Sequence, residues 1–201
     1  MNANSPATFV AFRGSERIAL GTLEQVARAA KQHHDAGTTL RIACFDDRTG
    51  APVDLDLSGS ETEVVERALN AQPDAVPVSD VAAPRGRGRP KLGVVSREVS
   101  LLPRHWSWLA EQRGGASASL RRLVDAARKQ HAPEDELRRA LDAAHRFMWD
   151  IAGDQPDFEE ATRALFAKDF EGFEQRSAAW PADLRAQLAR FVGRAREASR
   201  A

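Results

Sequence analysis

Tyrosine is absent from this chain of 201 residues, cysteine occurs once, and the formal charge sums to zero. The lack of tyrosine, beside abundant Ala and Arg, reflects genome composition more than function. The lone Cys44 has no partner for a disulfide within the chain, which suits a reducing compartment. It sits in the apolar run RIACF, where a buried structural thiol is expected rather than a nucleophile. No window approaches the ~18 apolar residues of a membrane span. The N-terminal MNANSPATFVAF has no cationic start followed by an apolar run, so no signal peptide is read there. A cytoplasmic protein with no membrane contact is the expectation.

Chemistry-bearing motifs are missing as well. There is no HExxH, CxxC or GxSxG, no Walker loop, and no GxGxxG before a helix. None of the five histidines forms an i, i+4 pair with an acid in register, which argues against zinc. Asp46, Asp47, Asp54 and Asp56 could group around a divalent cation. However, Asp54 and Asp56 alternate with Val53, Leu55 and Leu57, the pattern of an extended stretch with one wet face. No catalytic residue, metal or cofactor is assigned, and the chain is not read as an enzyme.

What the sequence does have is an uneven charge. Residues 1–80 hold seven Lys/Arg against twelve Asp/Glu, a balance of −5. Residues 81–131 hold eleven against three, +8, and residues 132–201 hold eleven against fourteen, −3. Positive charge concentrated in the middle of a neutral chain points to an anionic partner there, and nucleic acid is the commonest.

The fold class expected is α+β. TFVAF and RIAL flank the turn RGSE as a hairpin, and Thr22 with Gln25 forms a capping box before an amphipathic helix. LRIACF and PVDLDL flank DDRTGA as a second strand pair. Ser60 with Glu63 caps a second helix, which gives a ββαββα domain over residues 1–69. Residues 70–92, rich in Pro with no apolar period, read as a disordered basic linker. Residues 93–131 read as a strand-helix-helix unit: a strand over 94–102, a short helix from Pro103 stopped at Gly114–Gly115, and a second helix that Ser117 can cap. Residues 132–201 read as a helical C-terminal domain packed through Phe147, Phe158, Leu165, Phe166, Phe170, Phe173, Trp180, Leu184, Leu188 and Phe191.

At the end of the linker stands PRGRGRPK. Arg87-Gly88-Arg89-Pro90, with Arg85 before and Lys91 after, resembles an AT-hook. The narrow minor groove of an A·T tract carries a strongly negative potential that draws in arginine. Gly88 has no side chain to meet the groove floor, and Pro90 holds the exit extended. Arg85 and Lys91 would meet phosphates. The bland alternative is a solvated, charged linker.

Residues 94–130 resemble a ribbon-helix-helix unit, with SASLRRLV opening the second helix. That resemblance implies a homodimer whose paired strands enter the major groove. It assigns phosphate or groove contacts to Arg97, Arg104, Arg121 and Arg122. Its apolar strand positions fall on Leu102, Ser100 and Glu98, which turns Arg97 toward DNA; a one-residue bulge would turn Ser96, Glu98 and Ser100 outward instead. A packing hairpin with Trp106 and Leu109 as core is the alternative.

Taken through FDDRTGAPVDLDLSGS, GRPKLGVVSREVSLLPRHWSWLA, RFMWDIAGDQPDFEEATRALFAKD and AWPADLR, the whole chain resembles an uncharacterised bacterial family, domain of unknown function 2239. The resemblance implies that the segments belong to one unit. The function expected is DNA binding, as a regulator or nucleoid-associated factor with a preference for A·T-rich duplex, and the acidic flanks could take a protein partner. A protein-interaction or scaffold module, in which the ribbon is only a linker, is the alternative.

Overall fold

A computed structural model describes residues 8–71 and 97–200. The chain divides into two compact units, one built from Met1–Gln72 with Pro133–Ala201 and the other from Pro73–Ala132.

The first unit contains strands β1 (Phe9–Arg13) and β2 (Glu16–Gly21), helix α1 (Leu23–Asp35), strands β3 (Ile42–Asp46) and β4 (Pro52–Val53), and helix α2 (Glu61–Ala71). After the second unit it resumes with α5 (Ala132–Ile151), α6 (Phe158–Phe166), α7 (Phe170–Arg176) and α8 (Ala182–Arg200). The ββαββα order expected from the sequence is therefore present. The sheet runs β2-β1-β3-β4, and every neighbouring pair is antiparallel.

Side-chain alternation along the two central strands sends neighbouring residues to opposite faces. Phe9, Ala11 and Cys44 share a core with Leu23, Val26, Ala27 and Ala30 of α1 and with Val64, Val65 and Ala68 of α2. Val10, Phe12, Ala43 and Phe45 share the other core with Phe147 and Met148 of α5 and with Leu184, Leu188 and Phe191 of α8. The sheet thus lies between two helical layers. Phe147 sits 5.4 Å from Phe12 and 5.0 Å from Phe45, ring centre to ring centre. These tilted and edge-on aromatic pairs add to the area they bury.

This corrects the domain division read from the sequence. Residues 1–69 and 132–201 do not form separate domains, because one face of the N-terminal sheet is covered by the C-terminal helices. Strand β1 is buried on both faces, with Val10, Ala11 and Phe12 at 0% exposure. A two-faced apolar strand needs two layers of cover, and α1 and α2 supply only one.

Both capping boxes form. The Thr22 backbone N–H donates to Gln25 Oε1 at 2.9 Å, and the Gln25 N–H donates to Thr22 Oγ1 at 3.3 Å. The Ser60 N–H donates to Glu63 Oε2 at 2.7 Å, and the Glu63 N–H donates to Ser60 Oγ at 3.4 Å. Val53, Leu55 and Leu57 pack toward the α1/α2 core, while Asp54 and Asp56 are exposed, which is the alternation expected. Phe166 departs from its expected core role: it ends α6 with 46% of its surface exposed.

The β3–β4 turn is fixed by Asp46, whose Oδ1 accepts from the Arg48 N–H (2.9 Å), the Thr49 N–H (2.7 Å) and Thr49 Oγ1 (2.9 Å). The turn then reaches φ +64° at Gly50, where a Cβ would lie 2.0 Å from the Ala143 carbonyl oxygen of α5. Both the backbone conformation and the close approach exclude a side chain. Gly50→Ala is expected to destabilise the protein by about 3 kcal/mol, measured by urea unfolding; a change of under ~0.5 kcal/mol would show that the helix backbone yields.

The second unit holds α3 (Pro103–Glu111) and α4 (Gly115–Gln130). Residues 97–102 carry no strand, which corrects the strand expected over 94–102 within its described part. No ladder partner lies beside them among the described residues, and an extended segment without one has no reason to be counted a strand. Pro103 occupies the first helical turn, with Leu102 as an extended N-cap, as the fixed φ of proline favours. Helix α4 starts earlier than expected. Its N-cap is Gly114 at φ 88°, without a side-chain cap, and Ser117 lies in the first turn instead.

Candidate nucleic-acid interface

Within the second unit, α3 and α4 bury little: Leu109 at 3% and Ser119 at 2% exposure are its buried residues among those described. Every residue from Arg121 to Gln130 is exposed. Arg104, in the first turn of α3, is exposed and has no ion-pair partner among the described residues. Arg97 precedes the helix on the exposed segment.

On α4 the arginines differ in use. Arg121 donates from Nε to the Ser117 carbonyl at 3.2 Å. Arg122 donates from Nη2 to Ser119 Oγ at 3.0 Å and to the Arg113 carbonyl at 3.4 Å. The second arginine therefore ties α4 back to the end of α3, so part of its hydrogen-bonding capacity is spent within the unit. The structure adds Arg113, Arg128 and Lys129 as exposed cations on the same two-helix unit, residues the sequence reading did not assign to the interface. Arg128 is 4.0 Å from Asp125, and both side chains are largely exposed, so this pair does little to neutralise it. Their signal was available in the segment charge, which sequence reading used for location but not residue by residue.

The apolar stripe of α4 is uncovered as well, with Leu123 48% and Val124 54% exposed; Trp106 and Trp108 of α3 stand at 42% and 49%. The ribbon residues Arg85, Arg87, Gly88, Arg89, Pro90 and Lys91 lie outside the described residues.

Elsewhere, groups that sequence reading weighed as chemistry have structural surroundings. The Cys44 thiol is buried, and burial pushes it up to about 12, far from a reactive thiolate. Of the aspartates once grouped together, Asp46 holds the turn, while Asp47 is 5% exposed and belongs to a different network. Asp47 Oδ1 accepts from Gln187 Nε2 at 2.6 Å and from Arg190 Nε at 3.0 Å, and its Oδ2 accepts from Arg190 Nη2 at 2.6 Å. Arg194 Nη2 donates to the Asp47 carbonyl at 2.8 Å. Burial pushes the Asp47 carboxyl up, but hydrogen bonds from Arg190 and Gln187 and the charges of Arg190 and Arg194 outweigh it, so it lies below the usual range. The same desolvation lowers Arg194. Among the described residues no group of three or more His, Cys, Asp or Glu is placed to hold a metal ion, and no helix is long and apolar enough to cross a membrane.

These features define an α+β protein whose sheet is covered by helices from both halves of the chain, with a cationic two-helix unit lying between those halves in the sequence. The chain belongs to a family described as an uncharacterized protein conserved in bacteria (DUF2239), whose model matches residues 8–192. No curated protein and no solved structure matches it.

Proposed function

We propose that this protein binds DNA in the cytoplasm, through the ribbon Arg85–Lys91 and the α3–α4 unit that follows it. The observation that carries this reading is the surface of that unit. Arg97, Arg104, Arg113, Arg121, Arg128 and Lys129 are exposed within a segment of balance +8, next to two helices that spend little of that charge on one another. Such a surface lowers the free energy of a polyanion by releasing its condensed counterions. The ribbon adds the arginine-glycine-arginine order that suits a narrow groove. The role is that of a regulator or nucleoid-associated factor.

A second reading has its own support. Trp106, Trp108, Leu123 and Val124 are too exposed for a finished core, so α3–α4 also suits docking to another protein, or to a second copy as the ribbon-helix-helix resemblance implies.

Anisotropy titration on A·T-rich and G·C-rich duplexes at several salt concentrations separates these. Groove binding gives tighter association with A·T duplex, and a log–log salt slope of about −0.9 for each phosphate neutralised. Arg87→Ala with Arg89→Ala removes the A·T preference at a cost of about 1–3 kcal/mol per arginine. Arg121→Ala with Arg128→Ala weakens both duplexes alike and flattens the slope. Absence of binding to either duplex at low salt ends the DNA reading and leaves the scaffold reading.

A further inference from the structure

The outward face of α5 carries side chains that no core uses. Arg138, Asp142, His145 and Trp149 follow one another at spacings of four, three and four, which places them on a single seam of the helix. Trp149 is 71% exposed, and Phe166 of α6 is 46% exposed. The His145 ring bridges them, 6.1 Å from Trp149 and 5.2 Å from Phe166. Phe158 extends the aromatic row, 6.2 Å from Trp149. At the other end of the seam, Leu137, Leu141 and Phe166 line a groove of about 330 Å³ together with Glu134, Arg138, Asp142 and Lys168. The side chains of Asp142, Lys168 and Asp154 have no hydrogen-bond or ion-pair partner among the described residues. Lys168 also holds φ 61°, a conformation unfavourable for a residue with a Cβ.

A large exposed tryptophan on an aromatic row, rimmed by unmatched charges of both signs, marks a contact surface rather than a solvated face. The order of the charges says what fits it. In an antiparallel pair of α5 helices with a twofold axis level with residues 143 and 144, residues whose numbers sum to 287 stand opposite. Asp142 then faces the second copy's His145, and Arg138 faces the second copy's Trp149. The groove end, which carries Glu134 as well as Lys168, comes beside the turn that follows the second copy's α5, where Asp154 stands. Of the unmatched groups, Asp142 and Lys168 each meet a complement on the other copy and the twofold repeats these contacts, while Arg138 keeps its 2.7 Å pair with Asp135. From this self-complementarity we infer that the α5 face is a homodimer contact, formed by a second copy of this chain and separate from any pairing of α3–α4. The carboxylate of Asp142 accepts from the imidazole N–H, the guanidinium of Arg138 lies over the indole, and Phe166 closes the apolar part of the contact.

The seam from Arg138 to Trp149 is about 16 Å long, so the contact stands at the small end of stable interfaces, with dissociation in about the micromolar range. Sedimentation equilibrium on the full chain without DNA tests it. The expected mass rises from 22.0 kDa toward twice that between about 1 and 100 μM. Trp149→Ala weakens association about tenfold or more. Asp142→Lys abolishes it by setting a cation against the second copy's His145, and Asp142→Lys combined with His145→Asp restores it, because the swapped pair remains complementary across the axis.

The same series is run with Leu123→Asp and Val124→Asp on α4. Persistence of association in that variant supports the α5 contact, and its loss there assigns association to α4 and overturns the proposal. A constant monomer mass across the range, or no recovery in the swapped variant while circular dichroism shows both single variants folded, also overturns it. Because no DNA is present, none of these results bears on the DNA reading.

Discussion

Removing residues 73–132 and joining Gln72 to Pro133 with a flexible Gly/Ser linker of about 20 residues leaves a folded protein that does not bind DNA. The two hydrophobic cores explain the first half of this result. Each is assembled from residues that precede position 72 or follow position 132, and no described residue of α3–α4 is a member of either. Loop length itself costs little, since each doubling adds only about 0.6 kcal/mol of closure entropy. The excised chain should therefore unfold in one cooperative transition close to the full-length midpoint. The second half follows from charge. Excision takes away the segment with the +8 balance and leaves an acidic remainder, which repels a polyanion. Circular dichroism melts and the duplex titration read the two halves independently. A molten remainder would show that the insert completes a core, whereas retained duplex binding would move the interface elsewhere.

Asp47→Ala carries an expected effect as large as that of Gly50→Ala. It removes the acceptor of Gln187 and Arg190 at a site where Asp47 itself is 5% exposed, and it strands Gln187, which is fully buried. Breaking a buried, hydrogen-bonded ion pair by deleting one partner costs about 3–5 kcal/mol. Arg190 keeps 41% of its side chain in solvent, so the lower end of that range applies, about 3 kcal/mol, read as a fall in urea midpoint at unchanged slope.

The pH dependence has a definite sign. The folded Asp47 carboxyl lies below its ordinary value, so the unfolded chain takes up the proton first as pH falls. The stabilisation is complete above the unfolded value of about 3.9 and disappears as pH drops through the folded value. Asp47→Asn removes this acid-sensitive share, so the stability curves of wild type and variant converge at low pH. Parallel curves would assign the cost to packing alone.

How much of this could be read from residues alone depends on whether the cause was local. The two capping boxes, the start of α3 at Pro103 and the alternation of Val53, Leu55 and Leu57 all rest on neighbours within a few positions, and all are visible in the sequence. The partnership of Asp47 with Gln187 and Arg190 joins positions 140 and 143 apart, and no local pattern announces it. One signal pointed that way: TFVAF has apolar residues on both sides of a strand, which demands cover on both faces. Residues 97–102 failed in the opposite direction. Val99 and Leu101 alternate as a strand should, but alternation records a preference for pairing and does not supply a partner. Of the interface, the concentration of charge was legible and its division of labour was not. Only the structure shows that Arg122 is held by Ser119 while Arg128 and Lys129 remain exposed.

The split body also has a consequence for biosynthesis. The sheet is complete once Val53 has left the ribosome, yet the face formed by Val10, Phe12, Ala43 and Phe45 stays uncovered until α5 and then α8 are made, with Phe191 among the last core residues to arrive. At about 5–20 residues per second, that interval lasts roughly 7–30 seconds. Through it the nascent chain carries an aromatic sheet face open to misassociation, so holding factors that grip apolar segments have a defined substrate and a defined moment of release, the docking of the final helix.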